Sequence, residues 1–212
     1  MKILFYGDSI TDMARYRDAD DWHHSAWGYG YVRIVADNLI AKDPTKYEFI
    51  NRGISGNRTV DLYARIREDA WNHNPDLISL YVGVNDVWHN LNDNPHGLDI
   101  VRFEKVYRMI VEDTIKALPN TKLMIVLPFV VKGTSTTPIW DDFTVLFDYV
   151  KIIKNIAKEY NIPVVELQDI MDEAVEKYGS EIVCRDGVHP NSYGMGVIAK
   201  KWLEVYTENF EN

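Results

Sequence analysis

Ser9 stands in the string FYGDSI (5–10), where an apolar run stops at a glycine, an acid and a hydroxyl. His189 and Asp186 stand near the other end of the chain, in DGVHPN. A serine hydroxyl attacks a carbonyl only when a base takes its proton as it does so. His189 is the candidate base, because an imidazole of ordinary pKa, about 6.5, is neutral near pH 7. Asp186, three residues before it, can hold the second ring nitrogen, fix the tautomer and stabilise the imidazolium. The attacked carbonyl becomes an oxyanion, which needs donors aimed at it. Three candidates supply them: the backbone N–H of Ser9, the N–H of Gly56 with no side chain in the way, and the side-chain amide of Asn85. This set fits acyl transfer through an acyl-enzyme.

These residues are far apart in sequence, so the fold must bring them to one edge. Short apolar runs that read as strands lie at 2–6, 47–51, 76–83, 122–127 and 163–167. Helical periodicity covers 31–41, with Val32, Val35, Ala36 and Leu39 on one face, and 59–71, with Thr59 as the N-cap. Further helices are predicted at 103–118, 141–160, 169–179 and 191–210, the last burying Ile198, Trp202 and Val205. Residues 128–140 read as a loop. Strands that alternate with helices predict an α/β fold, a three-layer α/β/α sandwich around a five-stranded parallel sheet. Ligands of such sheets bind beyond the carboxyl ends of the strands. Gly7-Asp8-Ser9 follows the first strand, NRGISGN (Gly53, Gly56) the second and GVND (Asn85, Asp86) the third, and DGVHPN precedes the last helix.

The remaining composition narrows the function. The 212 residues, without repeats or a linker, predict a single domain over 1–212. A net charge of -9, from 23 basic and 32 acidic residues, disfavours nucleic acid and anionic membrane as partners. The lone Cys184 allows no intrachain disulfide and fits a reducing compartment. No apolar run is long enough to span a bilayer, and MKILFYGDS is too short for a signal-peptide core, so a cytoplasmic location is expected. Six tryptophans and 13 tyrosines furnish both a core and an interface, which fits a homo-oligomer. No cofactor is implied. No metal is implied either, since WHH at 22–24 lacks a second ligand cluster at suitable spacing.

The strings GDSI, ISGN, GVND and DGVHPN, in this order between residues 3 and 200, resemble the four blocks of the SGNH (GDSL) hydrolases. The resemblance implies an SGNH/flavodoxin-like sandwich with Ser9, Gly56, Asn85 and His189 as the four named residues and Asp186 as the acid. The chain departs from the pattern at Ile10, where the family name has leucine, and at Val84, where many members have a second glycine. GDSITD, GYGYV, NRGISGNRTVDLYAR and GVNDVW are similar to the branch that contains acetyl xylan esterases and other carbohydrate O-acetyl esterases. That likeness implies an acetylated oligosaccharide as substrate, with Trp88 placed to stack on a pyranose ring.

Other readings stand beside this one. Ser9 could be a helix N-cap, Gly53 and Gly56 turn formers, Asp86 a cap, and Trp88 core filler. Asp8, Asn85, Asp86 and His189 could hold divalent metal for phosphoester hydrolysis. The cleft could bind carbohydrate without cleaving it. Within esterases, Phe129, Val130 and Val131 could line an apolar groove for a lipid-type acyl hydrolase such as a lysophospholipase or thioesterase. The aromatics Trp22, Trp27, Tyr29 and Trp88 argue for sugar instead. Cys184 as nucleophile has no oxyanion donors placed for it.

Overall fold

The computed structural model describes residues 1–91 and 93–211. Its sheet consists of β1 (Lys2–Gly7), β2 (Glu48–Asn51), β3 (Leu77–Tyr81), β4 (Lys122–Val126) and β5 (Val164–Val165). All neighbouring strands are parallel, in the order β2-β1-β3-β4-β5. The sequence order reverses beside β1, and a crevice opens there beyond the strand ends. The register of β1 on β3 pairs Gly7 with Tyr81, which sets the residues after both strands side by side.

The helices among the described residues are α1 (Ser9–Asp12), α2 (Tyr31–Lys42), α3 (Thr59–Asp69), α4 (Val84–Trp88), α5 (Ile100–Ala117), α6 (Trp140–Phe143), α7 (Leu146–Glu159), α8 (Gln168–Tyr178), α9 (Ser180–Val183) and α10 (Ser192–Phe210). Alternation along β1 explains the layers, because successive side chains leave opposite faces of a strand. Phe5 packs on Tyr31 of α2 and Trp202 of α10, with ring centroids 5.8 and 5.3 Å away. Tyr6 points to the other face, where its hydroxyl donates to the Leu62 carbonyl of α3 at 2.5 Å. Trp202 is fully buried and donates its indole N–H to Ser79 Oγ of β3 at 2.9 Å. Covered on both faces, the strands are mostly apolar and buried, with Ser79 and Asn51 as buried polar exceptions.

Several elements differ from the sequence reading. β5 is two residues long, not 163–167. It lies at the sheet edge and follows Pro163, which has no N–H to give to a ladder. The helix expected over 141–160 is divided into α6 and α7. At the break the Thr144 hydroxyl donates back to the Asp141 carbonyl at 2.7 Å, and the ladder tightens to i→i+3 bonds at Phe147 and Asp148. α5 starts at Ile100, because the Asp99 carboxylate caps the N–H groups of Val101 and Arg102. Thr59 does not cap α3. Arg58 holds that position and Thr59 is buried inside the first turn. Phe129, Val130 and Val131 are buried in the core and line no acyl groove. Among the described residues no helix is long and apolar enough to cross a membrane.

Candidate active site

The turn after β1 places Ser9. A Cβ on Gly7 would run into the Tyr81 carbonyl and the Thr11 hydroxyl, so only glycine lets β1 approach β3 this closely. Asp8, not Ser9, caps the four-residue α1, its Oδ1 accepting the Ile10 N–H at 3.0 Å. The Ser9 hydroxyl is thereby left to face the cleft, 2.8 Å from Nε2 of His189. His189 Nδ1 lies 2.6 Å from Asp186 Oδ2. Asp186 Oδ1 accepts the N–H groups of Val188 at 2.9 Å and His189 at 2.7 Å, which fixes the loop that carries the ring. A carboxylate on Nδ1 places the proton there and leaves Nε2 to accept from the serine.

The electrostatics follow from this geometry. The hydrogen bond to Asp186 raises the His189 pKa above its ordinary value, against the opposing effect of burial. Burial pushes the Asp186 carboxyl up, but the bonds from the His189 ring and from two backbone N–H groups outweigh it, and its pKa lies below the ordinary carboxylate range. Burial pushes the Asp8 carboxyl up to about 7.

Gly56 and Asn85 face Ser9 across a cleft of about 350 Å³ that is also lined by Ser55, Trp88, His89 and His189. Gly56 has φ +80° with open space around it, so backbone conformation, not crowding, calls for glycine. Among the described residues no acceptor pairs with the Ser9 or Gly56 N–H. Asn85 is buried and gives one amide hydrogen to the Asn57 carbonyl at 3.0 Å, which leaves the second for the cleft. The cleft thus holds a hydroxyl with a base on one side and unengaged donors on the other. It can bind and polarise a carbonyl.

Other candidates are placed elsewhere. Gly53 donates its N–H to Asn51 Oδ1 and takes Arg15 Nε on its carbonyl, outside the cleft. Asp86 is fully buried and turned toward α3, where it accepts the Thr59 hydroxyl at 2.7 Å and the Thr59 N–H at 3.0 Å. The four groups Asp8, Asn85, Asp86 and His189 therefore do not converge as a metal site, and no cluster of three metal-ligating side chains occurs among the described residues. Cys184 is buried, and burial raises its thiol pKa far above the ordinary value. Trp27 is core, with its N–H on the Asp21 and Phe49 carbonyls, while Trp22 and Tyr29 are 74% and 70% exposed and do not line the cleft. Of the aromatics expected there, Trp88 alone is in place, its ring centroid 5.8 Å from that of His189. Ser55 and His89 are lining residues that sequence reasoning missed. His89 follows Asn85 by four residues, the spacing that puts two side chains on one face of a helix, and that signal could have found it.

The model of the GDSL-like Lipase/Acylhydrolase family matches residues 5–197. The chain is 32% identical over 209 residues to an acetylxylan esterase of Geobacillus stearothermophilus, covering 95% of this chain and 92% of that one. The structure of an acetylxylan esterase from the same organism superposes with a TM-score of 0.84 at 31% identity, covering 96% and 93% of the two chains. A GDSL-like lipase candidate from Parabacteroides merdae gives a TM-score of 0.89 at 32% identity, over 96% and 94%. LAE5, an alpha/beta hydrolase enzyme from the metagenome of Lake Arreo, gives 0.86 at 25% identity, over 96% and 94%.

Proposed function

The chain belongs to the GDSL-like Lipase/Acylhydrolase family, and from that premise we propose that it is a serine esterase, folded as one domain, that removes O-acetyl groups from carbohydrates. Ser9 Oγ attacks the acetyl carbonyl carbon and passes its proton to His189 Nε2. The oxyanion is held by the N–H groups of Ser9 and Gly56 and by Asn85 Nδ2. As the tetrahedral intermediate collapses, the sugar oxygen leaves with the proton from His189. Water then enters, gives a proton to the same nitrogen, and attacks the acetyl-enzyme. Acetate leaves, and the proton returns to Ser9. Asp186 keeps the ring in its tautomer and stabilises the imidazolium in both halves.

The observation that carries this reading is the line from Ser9 Oγ through His189 to Asp186, at 2.8 and 2.6 Å, opposite Gly56 and Asn85 in one cleft. The acetyl substrate is supported by the likeness to an acetylxylan esterase over nearly the whole chain, and by Trp88 at the cleft wall, where an aromatic face suits a pyranose ring. Phe129, Val130 and Val131, which could have lined an apolar groove for a long acyl chain, are buried, and this lends the lipid-type alternative no support.

The test is acetate release from acetylated xylo- and manno-oligosaccharides by the intact protein and by Ser9→Ala. Release by the intact protein that falls about 10⁶-fold in Ser9→Ala is expected. Serine-dependent cleavage of octanoyl esters without acetate release from either sugar would move the substrate to lipids. Binding of the sugars with no ester cleavage would leave a lectin-like cleft and overturn the proposal.

A further inference from the structure

Arg65 lies on α3 and does not line the cleft, yet its guanidinium touches two of the three segments that present an oxyanion donor and reaches the third through Asn57. Nη2 donates to the Gly7 carbonyl at 3.1 Å, two residues before Ser9. Nε donates to Asn57 Oδ1 at 2.8 Å, one residue after Gly56. Nη1 donates to the Arg52 carbonyl at 2.9 Å, where the chain leaves β2. The third donor is joined through Asn57, whose carbonyl accepts Asn85 Nδ2 at 3.0 Å. The guanidinium is itself fixed. Asp69 pairs with Nη1 at 2.7 Å, and Cζ lies over the Tyr6 ring, 4.6 Å from its centroid.

We propose that Arg65 is the positioning residue of the oxyanion side, a planar fork that holds the Ser9 turn, the Gly56 loop and Asn85 in one register. The inference rests on the esterase reading of this site. The loop requires such a brace. Gly56 has no neighbour within 4 Å of where its side chain would be, so packing does not orient its N–H. Besides the bonds of Gly53 and the Asn57 carbonyl given above, the loop is held by the Ile54 N–H on the Gly7 carbonyl at 3.1 Å, the Ser55 N–H on Asp12 Oδ2 at 3.0 Å, and the Asn57 N–H on the Ile54 carbonyl at 3.2 Å. None of these reaches from the loop to α3. Arg65 does, and it meets the Gly7 carbonyl that Ile54 also uses. Preorganised donors stabilise an oxyanion because they need not reorient as charge develops. A loosened loop would therefore slow the chemical step and leave substrate binding nearly intact. Lysine cannot replace this group, since one ammonium cannot span acceptors that the fork reaches in a plane.

The experiment measures kcat and KM of the intact protein, Arg65→Ala, Arg65→Lys and Asn57→Ala. The substrates are 4-nitrophenyl acetate and acetylated xylo-oligosaccharide, at a temperature where circular dichroism shows each variant folded. Arg65→Ala is expected to lower kcat about 10- to 100-fold on both esters, somewhat less than removal of a donor itself, with KM changed less than about threefold. Millimolar methylguanidinium should restore part of the Arg65→Ala rate, and Arg65→Lys should stay low. Asn57→Ala removes one arm of the fork and keeps the carbonyl for Asn85. Its kcat should fall several-fold, which keeps the test decisive should Arg65→Ala not fold. An unchanged kcat in the folded variants, or a loss matched by a rise in KM, overturns the role of Arg65 while the esterase reading stands. Absence of Ser9-dependent cleavage of either ester by the intact protein overturns both.

Discussion

The two walls of the cleft are built differently. On the relay wall, the side chains of His189 and Asp186 are 39% and 29% exposed and bond to each other, to N–H groups within three positions of sequence and to Ser9, while the backbone of their loop takes the N–H groups of Val131, Thr134 and Ser135. On the oxyanion wall, Asn85 is 5% exposed, Asp86 is fully buried, and the contacts cross between β1, the 52–57 loop, α3 and α4. The difference suits the work that the proposed mechanism gives each wall. A group that takes and returns a proton must titrate near the working pH and meet water in the second half-reaction. A group that stabilises developing charge must be fixed before the charge appears. Exposure suits the first and burial with cross-bracing suits the second.

The largest break in this comparison is expected from Asp186→Asn. An amide presented to Nδ1 donates where the carboxylate accepted, so the ring proton moves to Nε2 and cannot be replaced by that of Ser9. We expect a fall of about 10⁴ in kcat near neutral pH with the fold retained. The pH profile sharpens the point. In the intact protein the hydrogen bond to Asp186 raises the His189 pKa, so the rate should drop as pH falls through a value above the ordinary 6.5. Asp186→Asn should move that limb to lower pH. Stability runs the opposite way. A raised folded pKa contributes stability that is fully present below the unfolded value and is lost as pH rises through the folded one. The proposed mechanism therefore predicts most activity where the charged His189–Asp186 pair no longer adds to stability. A rate that is flat from pH 5 to 8 would remove His189 from the role of base.

Next in size is Asn85→Ala on the opposite wall. Loss of one oxyanion donor should lower kcat about 10²- to 10³-fold, with the acid limb of the pH profile unmoved, because Asn85 does not touch the relay. A shift of that limb would show that the two walls are not independent.

The sequence named the residues that meet on the proposed relay wall and only part of what holds the opposite wall, and the reason is the range of the contacts. Asp186 and His189 stand out by their types and their spacing of three, Ser9 by its place at a strand end, and the parallel sheet brings such ends together. Arg65 and Asp69 look in sequence like an ordinary i,i+4 ion pair on a solvated helix face. That Arg65 also reaches Gly7, Arg52 and Asn57 depends on how α3 crosses β1, which no local pattern states. Trp27 reads as a cleft aromatic until its indole N–H is seen on the Phe49 carbonyl. Phe129 to Val131 read as a loop and are one, but a loop packed into the core. The break between α6 and α7 turns on a single hydroxyl, Thr144, that a periodicity argument passes over.

The smallest expected effect, on stability more than on rate, concerns Thr59, taken from its sequence as a helix cap. In the fold its hydroxyl and N–H both serve the buried Asp86, the residue that follows Asn85. Burial pushes the Asp86 carboxyl up to about 7, while the Thr59 bonds pull it down. Thr59→Val keeps the volume and the N–H but removes the hydroxyl donor. It leaves a buried carboxyl short of one partner, at a cost of about 1–3 kcal/mol, to be read from urea denaturation. Removing that donor raises the Asp86 pKa further. A folded pKa above the unfolded value costs stability as pH rises between the two, so the deficit of Thr59→Val should be larger at pH 8 than at pH 5. A deficit equal at both pH values would mean that Asp86 stays neutral in the fold and that Thr59 acts on it only as a neutral partner. With Asn85 held beside a carboxyl that is still buried, kcat should change less than about threefold, which separates the support of this wall from its chemistry.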